Sequence, residues 1–156
     1  MRQLNDKDAA ALGVSTHHEQ MDNGEYRFRL MASDGTAYVR TVAGDRGAWQ
    51  NSHFHETVRE TYIVQSGWMA FAQRKGQEVT LQVYRQSQLL TTEPRVSHNV
   101  YLPAGAVIHT VKYGVASESD WHADAELDRV TKSITEDQIA RAAGEVVHLR
   151  LADLKS

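Results

Sequence analysis

The chain has 156 residues, of which 41% are hydrophobic and 24% charged, and its formal net charge is -3 at pH 7. This length suits one domain with its own hydrophobic core, so we expect a single domain over residues 1–156. The basic residues are scattered, which excludes the basic stripe of a nucleic-acid-binding protein. Because the chain has no cysteine, a metal site would have to use His, Asp or Glu.

Membrane and export segments are not predicted either. No long apolar run occurs in the chain, and the first six residues contain no apolar segment. We therefore expect no membrane span and no signal peptide. The absence of cysteine also agrees with a cytoplasmic location, where disulfides are rare.

The N-terminal segment predicts one short helix followed by a loop. The helix covers residues 6–12, with Asp6 as the N-cap and Gly13 just beyond the last turn. His17 and His18 are interpreted as loop residues, because adjacent side chains of an extended segment point to opposite faces and do not easily chelate one ion.

From about Glu25 the sequence has a period of two, which is typical of strands. Polar and apolar residues alternate over residues 25–31, Asp34-Gly35 predicts a hairpin turn, and residues 36–42 form the next strand. Further short strands are predicted at 53–56, 61–65, 68–73, 78–84, 89–92, 98–102 and 107–113. Many short strands with regular turns indicate an all-β sandwich or barrel, with its core at about residues 25–115.

The helical period returns only near the C-terminus. The acid-rich segment at residues 120–128 is interpreted as a solvated loop. Ser133 and Glu136 match a capping box, and a short C-terminal helix is predicted over about residues 134–143. A last strand is predicted at residues 146–151.

A motif of histidines and a glutamate carries the chemistry. His53 and His55 are two residues apart, so a strand places both imidazoles on one face. Glu60 follows five residues later, and Gly47 and Gly67 flank the segment. Two imidazoles and one carboxylate on rigid neighbouring strands can converge on one metal ion. We predict one divalent ion, and this ligand set suits Zn, Fe, Mn, Ni or Co.

The segment from Gly47 to Gly67 resembles the first signature motif of the cupin superfamily, with every signature residue in place. The resemblance implies an all-β double-stranded β-helix, or jelly-roll barrel, with a metal ion held inside it. If the histidines were merely structural, three ligand residues and two turn glycines would have to coincide, which favours a metal site.

The fourth metal ligand is either His109 or His98. The second cupin motif reads Gly, five residues, Pro, any residue, Gly, two residues, His. The stretch that ends at His98 has this spacing but carries Ser87, Glu93 and Arg95 in place of Gly, Pro and Gly. The resemblance therefore does not decide between the two histidines.

Turn chemistry favours His109. Pro103 and Gly105 supply the Pro-x-Gly part of the motif and can form the tight turn before the next strand, although His109 comes one residue late. His109 shares a strand face with Val107, which we predict to point inward. His98 is the alternative ligand, or else a residue that supports the ligands without binding the ion.

Four further residues are candidate substrate contacts. Tyr62 and Tyr101 could line a pocket of the barrel, and Arg59 and Arg95 could bind a carboxylate or phosphate. The alternatives are core packing for the tyrosines and exposed positions at strand edges for the arginines.

His53-Phe54-His55 in a small single-domain cupin is also similar to the sugar 3,4-ketoisomerase cupins, which act on nucleotide-linked keto-sugars. That family uses a His pair as acid/base catalysts, whereas Glu60 completes a metal set here, and a metal-bound imidazole is not free to transfer protons. We predict a metal-dependent isomerase or epimerase acting on a sugar or other small oxygenated metabolite. The alternatives are an iron-dependent dioxygenase and a non-catalytic cupin that binds a small molecule such as a sugar.

The expected partners are a small-molecule substrate or ligand and a second copy of the chain. Small cupins leave sheet edges that pair or exchange strands with a partner, and an unpaired edge strand favours such association. We therefore expect a homodimer.

Overall fold

The computed structural model describes residues 3–114, 120–142, 144 and 146–150. Within them the helices are α1 Asp6–Ala11, α2 Ala125–Lys132 and α3 Glu136–Arg141. The strands, in chain order, are β1 Val14–Gln20, β2 Tyr26–Ala32, β3 Ala37–Val42, β4 Ala48–Trp49, β5 His53–Phe54, β6 Arg59–Ser66, β7 Trp68–Lys75, β8 Glu78–Arg85, β9 Leu89–Thr91, β10 Ser97–Leu102, β11 Val107–Tyr113, β12 His122–Ala123 and β13 Val147–Arg150.

The strands form two antiparallel sheets that face each other. One sheet has the order β1-β2-β3-β11-β6-β9, and the other has the order β12-β5-β10-β7-β8-β13, with β4 also paired to β10. The fold is the predicted all-β jelly roll. Within the described residues the two sheets pack as a sandwich and are not closed into a barrel by hydrogen bonds, which corrects that part of the prediction.

The main core lies between the sheets and takes side chains from both, namely Tyr62, Val64, Met69, Phe71, Val100, Leu102 and Ile108. A second cluster covers the opposite face of the β10-containing sheet, where Trp49, Ala70 and Tyr101 pack against Ile139 of α3. Burial on both faces explains why all six residues of β10 are buried. Such a strand shows no period of two in burial, so sequence alternation could not assign its faces.

Glycine is favoured for a different structural reason at each of the two positions that flank the histidine motif. Gly67 lies in the turn between β6 and β7 with φ of +74°, a backbone conformation that favours glycine. A Cβ atom on Gly47 would lie 2.0 Å from the hydroxyl oxygen of Tyr101 and 2.6 Å from Oε2 of Glu136. A larger residue at position 47 would therefore require the side chains of Tyr101 and Glu136 to move.

Two predictions near the N-terminus are corrected. His17 and His18 belong to β1, which pairs with β2 along its whole length, and not to a loop. The first helix begins at Asp6, but its N-cap is Asn5, whose side chain accepts a hydrogen bond from the N–H of Asp8.

The C-terminal segment also differs from its prediction. The acid-rich segment forms β12 and α2 instead of a solvated loop. The helix α3 is shorter than predicted, and its capping box joins Thr135 to Gln138. The last strand, β13, covers most of the predicted range, and residue 151 lies outside the described residues. Among the described helices, none is long and apolar enough to cross a membrane.

Candidate metal centre

Three histidines and one glutamate meet between the two sheets. Glu60 projects from β6, His53 and His98 are partners on β5 and β10, and His55 follows β5. The Nε2 atoms of His98 and His53 lie 2.8 and 3.5 Å from Oε2 of Glu60, and Nε2 of His55 lies 3.5 Å from Oε1. All four residues are buried. Ligand atoms of His53, Glu60 and His98 lie within 4.8 Å of one another, so this group could hold a metal ion.

Each imidazole is oriented by a hydrogen bond to the main chain. Nδ1 of His53 and Nδ1 of His98 each donate, at 3.0 Å, to the carbonyl oxygen two residues earlier in the chain. Nδ1 of His55 donates to the carbonyl oxygen of Asp120. In all three rings this arrangement turns Nε2 and its lone pair toward Glu60. Main-chain partners orient metal-binding histidines in the same way.

Asp120 holds the segment that orients His55. Its carboxylate accepts hydrogen bonds from the N–H groups of Glu56, Thr57 and Val58 at 2.7, 3.2 and 2.9 Å. Burial by itself would raise the pKa of Asp120, but these hydrogen bonds outweigh it and hold the pKa below its ordinary value. The ionised side chain therefore anchors the carbonyl oxygen that contacts His55.

Glu60 is buried and ionised. Burial by itself raises the pKa of this carboxyl group, but the positive charge of the Lys112 ammonium, 2.6 Å from Oε1, opposes this most strongly, and the pKa is held well below its ordinary value. The Tyr62 hydroxyl donates to Oε2 at 2.7 Å, and burial and the charge of Glu60 raise the pKa of Tyr62 well above its ordinary value. Burial lowers the pKa of His53, so this imidazole is neutral at pH 7.

His98, and not His109, joins the predicted residues of the cluster. Nδ1 of His109 lies 2.7 Å from the Tyr38 hydroxyl, and its Nε2 lies 2.8 Å from Oε1 of Gln65. The prediction that His109 points inward is wrong, because Thr110 and not His109 lines the cavity between the sheets. The sequence prediction chose the wrong face of β11 as the inward one, because both faces of this strand carry apolar residues.

The backbone before β10 shows why the second motif was hard to recognise. Ser87 and Arg95 occupy its two glycine positions and have φ of +68° and +63°. Among the described residues other than glycine, only these two have positive φ. The segment keeps the backbone that glycine adopts easily although the glycines are absent, and it leads to His98 on β10.

Of the four predicted substrate contacts, the structure brings only Tyr62 to the cluster, where it lines the cavity. Tyr101 lies in the second core, on the opposite face of its sheet. Arg95 is exposed and pairs with a surface glutamate at 2.8 Å. Arg59 is also exposed, and its guanidinium donates to a main-chain carbonyl oxygen at 3.4 Å. Tyr101, Arg95 and Arg59 therefore do not lie where they could contact a ligand bound at this cluster, which corrects the prediction for these three residues.

A cavity of about 250 Å³ adjoins the cluster, and sequence reasoning missed several of its residues. Arg27 and Arg29 of β2 and Lys112 of β11 face it, together with Trp121. The Trp121 ring stacks on His53 with 5.4 Å between the ring centroids. A second cavity of about 500 Å³ borders the same two rings. The alternation of polar and apolar residues over 25–31 could have identified Arg27 and Arg29 as one face of a strand. In β2, however, the polar face and not the apolar face lines the cavity.

The donor atoms of His53, Glu60 and His98 fit a divalent metal ion. Two atoms bound to one ion at 2.0–2.2 Å lie about 2.8–3.6 Å apart for octahedral or tetrahedral angles, and Oε2 of Glu60 lies 2.8 and 3.5 Å from Nε2 of His98 and His53. Nε2 of His53 is buried and has no hydrogen-bond partner among the described residues, which is unfavourable unless an ion takes its lone pair. Lys112 contacts Glu60, but its side chain is 26% exposed and long enough to move aside.

Comparisons with known proteins agree with this architecture. No family model matches the chain, and no curated protein matches its sequence. Among solved structures, the chain is similar to oxalate decarboxylase from Bacillus subtilis, with 16% identity and a TM-score of 0.57. That alignment covers 83% of this chain, which spans only 37% of the length of that protein.

Two smaller proteins are similar over more of their own length. The nucleoside dehydratase Pac13 from Streptomyces has 15% identity and a TM-score of 0.52, over 70% of this chain and 84% of its own. The cupin domain of CENP-C from Drosophila melanogaster has 12% identity and a TM-score of 0.50, over 63% of this chain and 75% of its own. At these identities the similarity concerns the fold.

Proposed function

Because the chain has the cupin fold, we propose that it is a divalent-metal-dependent enzyme acting on a small oxygenated metabolite. Isomerisation or epimerisation of a sugar or related compound is the proposed reaction class. The observation that carries the proposal is the common orientation of three imidazoles, whose Nε2 atoms face one buried carboxylate. His53, His55, Glu60 and His98 would hold the ion, which would be Zn, Fe, Mn, Ni or Co.

The bound ion would act as a Lewis acid on a carbonyl or hydroxyl oxygen of the substrate. The residues of the chain hold this site in place. Main-chain hydrogen bonds keep the imidazoles oriented, and the Tyr62 hydroxyl, which retains its proton, fixes Oε2 of Glu60. Trp121 stacks on His53 and shields that ring from water on one side. The substrate would enter the adjoining cavity of about 250 Å³.

Turnover assays test the reaction class. The purified protein, loaded separately with each of the five metals, should be tested for interconversion of keto-sugar isomers and for oxygen uptake. We expect isomer interconversion without oxygen uptake. Oxygen uptake with iron would instead support the dioxygenase alternative, and sugar binding without turnover would support the non-catalytic alternative. If none of these occurs, the proposal is wrong.

Metal content distinguishes the two candidate fourth ligands. We expect His98→Ala to weaken metal binding at least about tenfold, because it removes a proposed ligand. His109→Ala should keep about one ion per chain, because His109 contacts Tyr38 and Gln65 away from the cluster. Elemental analysis after dialysis measures both variants. Metal loss in His109→Ala alone would contradict the assignment.

We also propose that the chain forms a homodimer. Tyr26, Phe28 and Leu30 alternate with the cavity-lining residues of β2 and are 47%, 41% and 47% exposed. Large apolar side chains exposed together on one sheet face favour association with another protein surface. Light scattering at micromolar concentration tests the proposal, and a monomeric mass would contradict it.

A further inference from the structure

Lys112 is in direct contact with two of the proposed metal ligands. Its Nζ lies 2.6 Å from Oε1 of Glu60 and 3.5 Å from Nε2 of His55. The side chain projects from β11 into the cavity of about 250 Å³ beside the cluster. An ion that used these two ligand atoms would therefore have to displace the ammonium group.

Two other cations of this cavity have carboxylate partners outside the cluster. Nε and Nη2 of Arg27 donate to Oε2 of Glu25 at 3.1 and 2.8 Å. Nη1 of Arg29 lies 2.8 Å from Oε1 of Glu19. Of these three cations, Lys112 is the one whose carboxylate partner would be taken by the metal.

Metal binding would change the charge balance of the cavity. Before it, Lys112 and Glu60 neutralise each other. Afterwards, a divalent ion with one carboxylate and three neutral imidazoles carries one net positive charge, and the displaced ammonium adds a second. Two positive charges close together beside a buried cluster are unfavourable, and an anion that contacts both would stabilise them.

We infer that Lys112 changes partner when the metal binds, from Glu60 to the carboxylate of a small substrate that also contacts the ion. The inference rests on the proposed function and specifies its substrate class as small oxygenated carboxylates, such as 2-oxo or 2-hydroxy acids. The cavity, at about 250 Å³, is smaller than the ~300–1,000 Å³ sites of drug-sized ligands, which agrees with a substrate of a few carbon atoms.

Pyruvate and hydroxyacetone are matched probes, because both contain a methyl ketone next to an oxygenated carbon but only pyruvate is charged. In calorimetric titrations of the full chain loaded with Co²⁺, we expect pyruvate to bind at least about tenfold more tightly than hydroxyacetone. Added salt should reduce this preference. Equal affinities for the two probes would overturn the inference and leave the metal site standing, whereas failure to take up cobalt would overturn the proposed function as well.

Lys112→Met tests the residue itself. We expect its Co²⁺ affinity to rise, because a cation that competes for Glu60 is removed, while its pyruvate affinity falls at least about tenfold. Damage to packing alone would lower both affinities, so the opposite directions separate the two causes. Unchanged pyruvate affinity would overturn the inference.

Lys132→Met is the matched control. Lys132 lines the neighbouring cavity of about 500 Å³ and pairs with Asp128 in α2. The same substitution there should change neither affinity, and a comparable loss of pyruvate binding would show that any nearby positive charge suffices, which would overturn the role of Lys112. If Lys112→Met does not fold, the wild-type preference for pyruvate over hydroxyacetone decides.

Discussion

Replacing Glu60 with glutamine is expected to weaken metal binding at least about 100-fold, since the loss of residues that only support metal ligands already costs 10–100-fold. Glu60 supplies the one negative charge among the four proposed ligands. Its oxygens also lie within 2.8–3.5 Å of all three Nε2 atoms. A neutral amide would bind the ion weakly and would direct an N–H₂ group toward atoms that should carry lone pairs. Competition with a metal-sensitive dye measures the affinity.

Glu25→Gln is the control for this prediction. Glu25 is as buried as Glu60, at 1% exposure each, and pairs with Arg27 in the same interior. Gln50 also donates to both of its oxygens. Both variants should lose some stability, because each leaves a cation without its carboxylate partner. Only Glu60→Gln should lose the metal, and equal losses in the two variants would show that the effect is not local to the cluster.

Asp124→Ala is expected to lower the free energy of unfolding by about 3 kcal/mol. Oδ1 of Asp124 caps α2 by accepting the N–H groups of Glu126 and Leu127 at 3.1 and 3.0 Å. Oδ2 accepts two hydrogen bonds from Arg74, at 3.0 and 2.6 Å. The substitution removes a helix cap and leaves a guanidinium that is three-quarters buried without this partner. Urea unfolding measures the change.

Glu93→Ala is the comparison for the stability experiment. Glu93 pairs with Lys75 at 3.3 Å, but both side chains are more than half exposed. Water and salt weaken such a pair, so we expect a change within about 0.5 kcal/mol. A similar loss in both variants would contradict the role given to the buried carboxylate of Asp124.

The effect of Asp124 should depend on pH. Burial by itself raises the pKa of Asp124, but hydrogen bonds from the Leu127 N–H, Ser97 and Arg74 outweigh it and hold the pKa below its ordinary value. A carboxyl group with a lowered folded-state pKa stabilises the fold above its unfolded-state pKa of about 3.9, and this stabilisation is lost as the pH falls through the folded-state pKa. The stability difference between wild type and Asp124→Ala should therefore be constant from about pH 7 to 5 and shrink below about pH 4. A difference that grows on acidification would contradict this explanation.

Asp124 also connects stability to the candidate metal centre. Its N–H donates to the carbonyl oxygen of Ser52, and the N–H of Ser52 donates to Asp128 of α2. These two hydrogen bonds join α2 to the residue before His53. Loosening this connection should therefore disturb one proposed ligand as well as the helix.

The inverted pattern of β2 has a physical cause. Hydrophobic alternation usually identifies the buried face of a strand, but in β2 the apolar Tyr26 and Phe28 are exposed while Arg27 and Arg29 line a cavity. Polar side chains are favourable inside this sandwich because they face a cavity and have carboxylate partners. A strand beside a cavity lined by polar groups can therefore contradict the ordinary alternation rule.

The order of residues along one short stretch of the chain was enough to predict the jelly roll and the convergence of His53, His55 and Glu60. Those three residues are close in sequence, and with Gly47 and Gly67 they match the first cupin motif, which implied both the fold and a shared metal site. The choice of His98 over His109, and the approach of Lys112 to Glu60, depended on tertiary structure. These residues come from strands distant in sequence, and only sheet pairing and the packing of two sheets determine which of their faces meet.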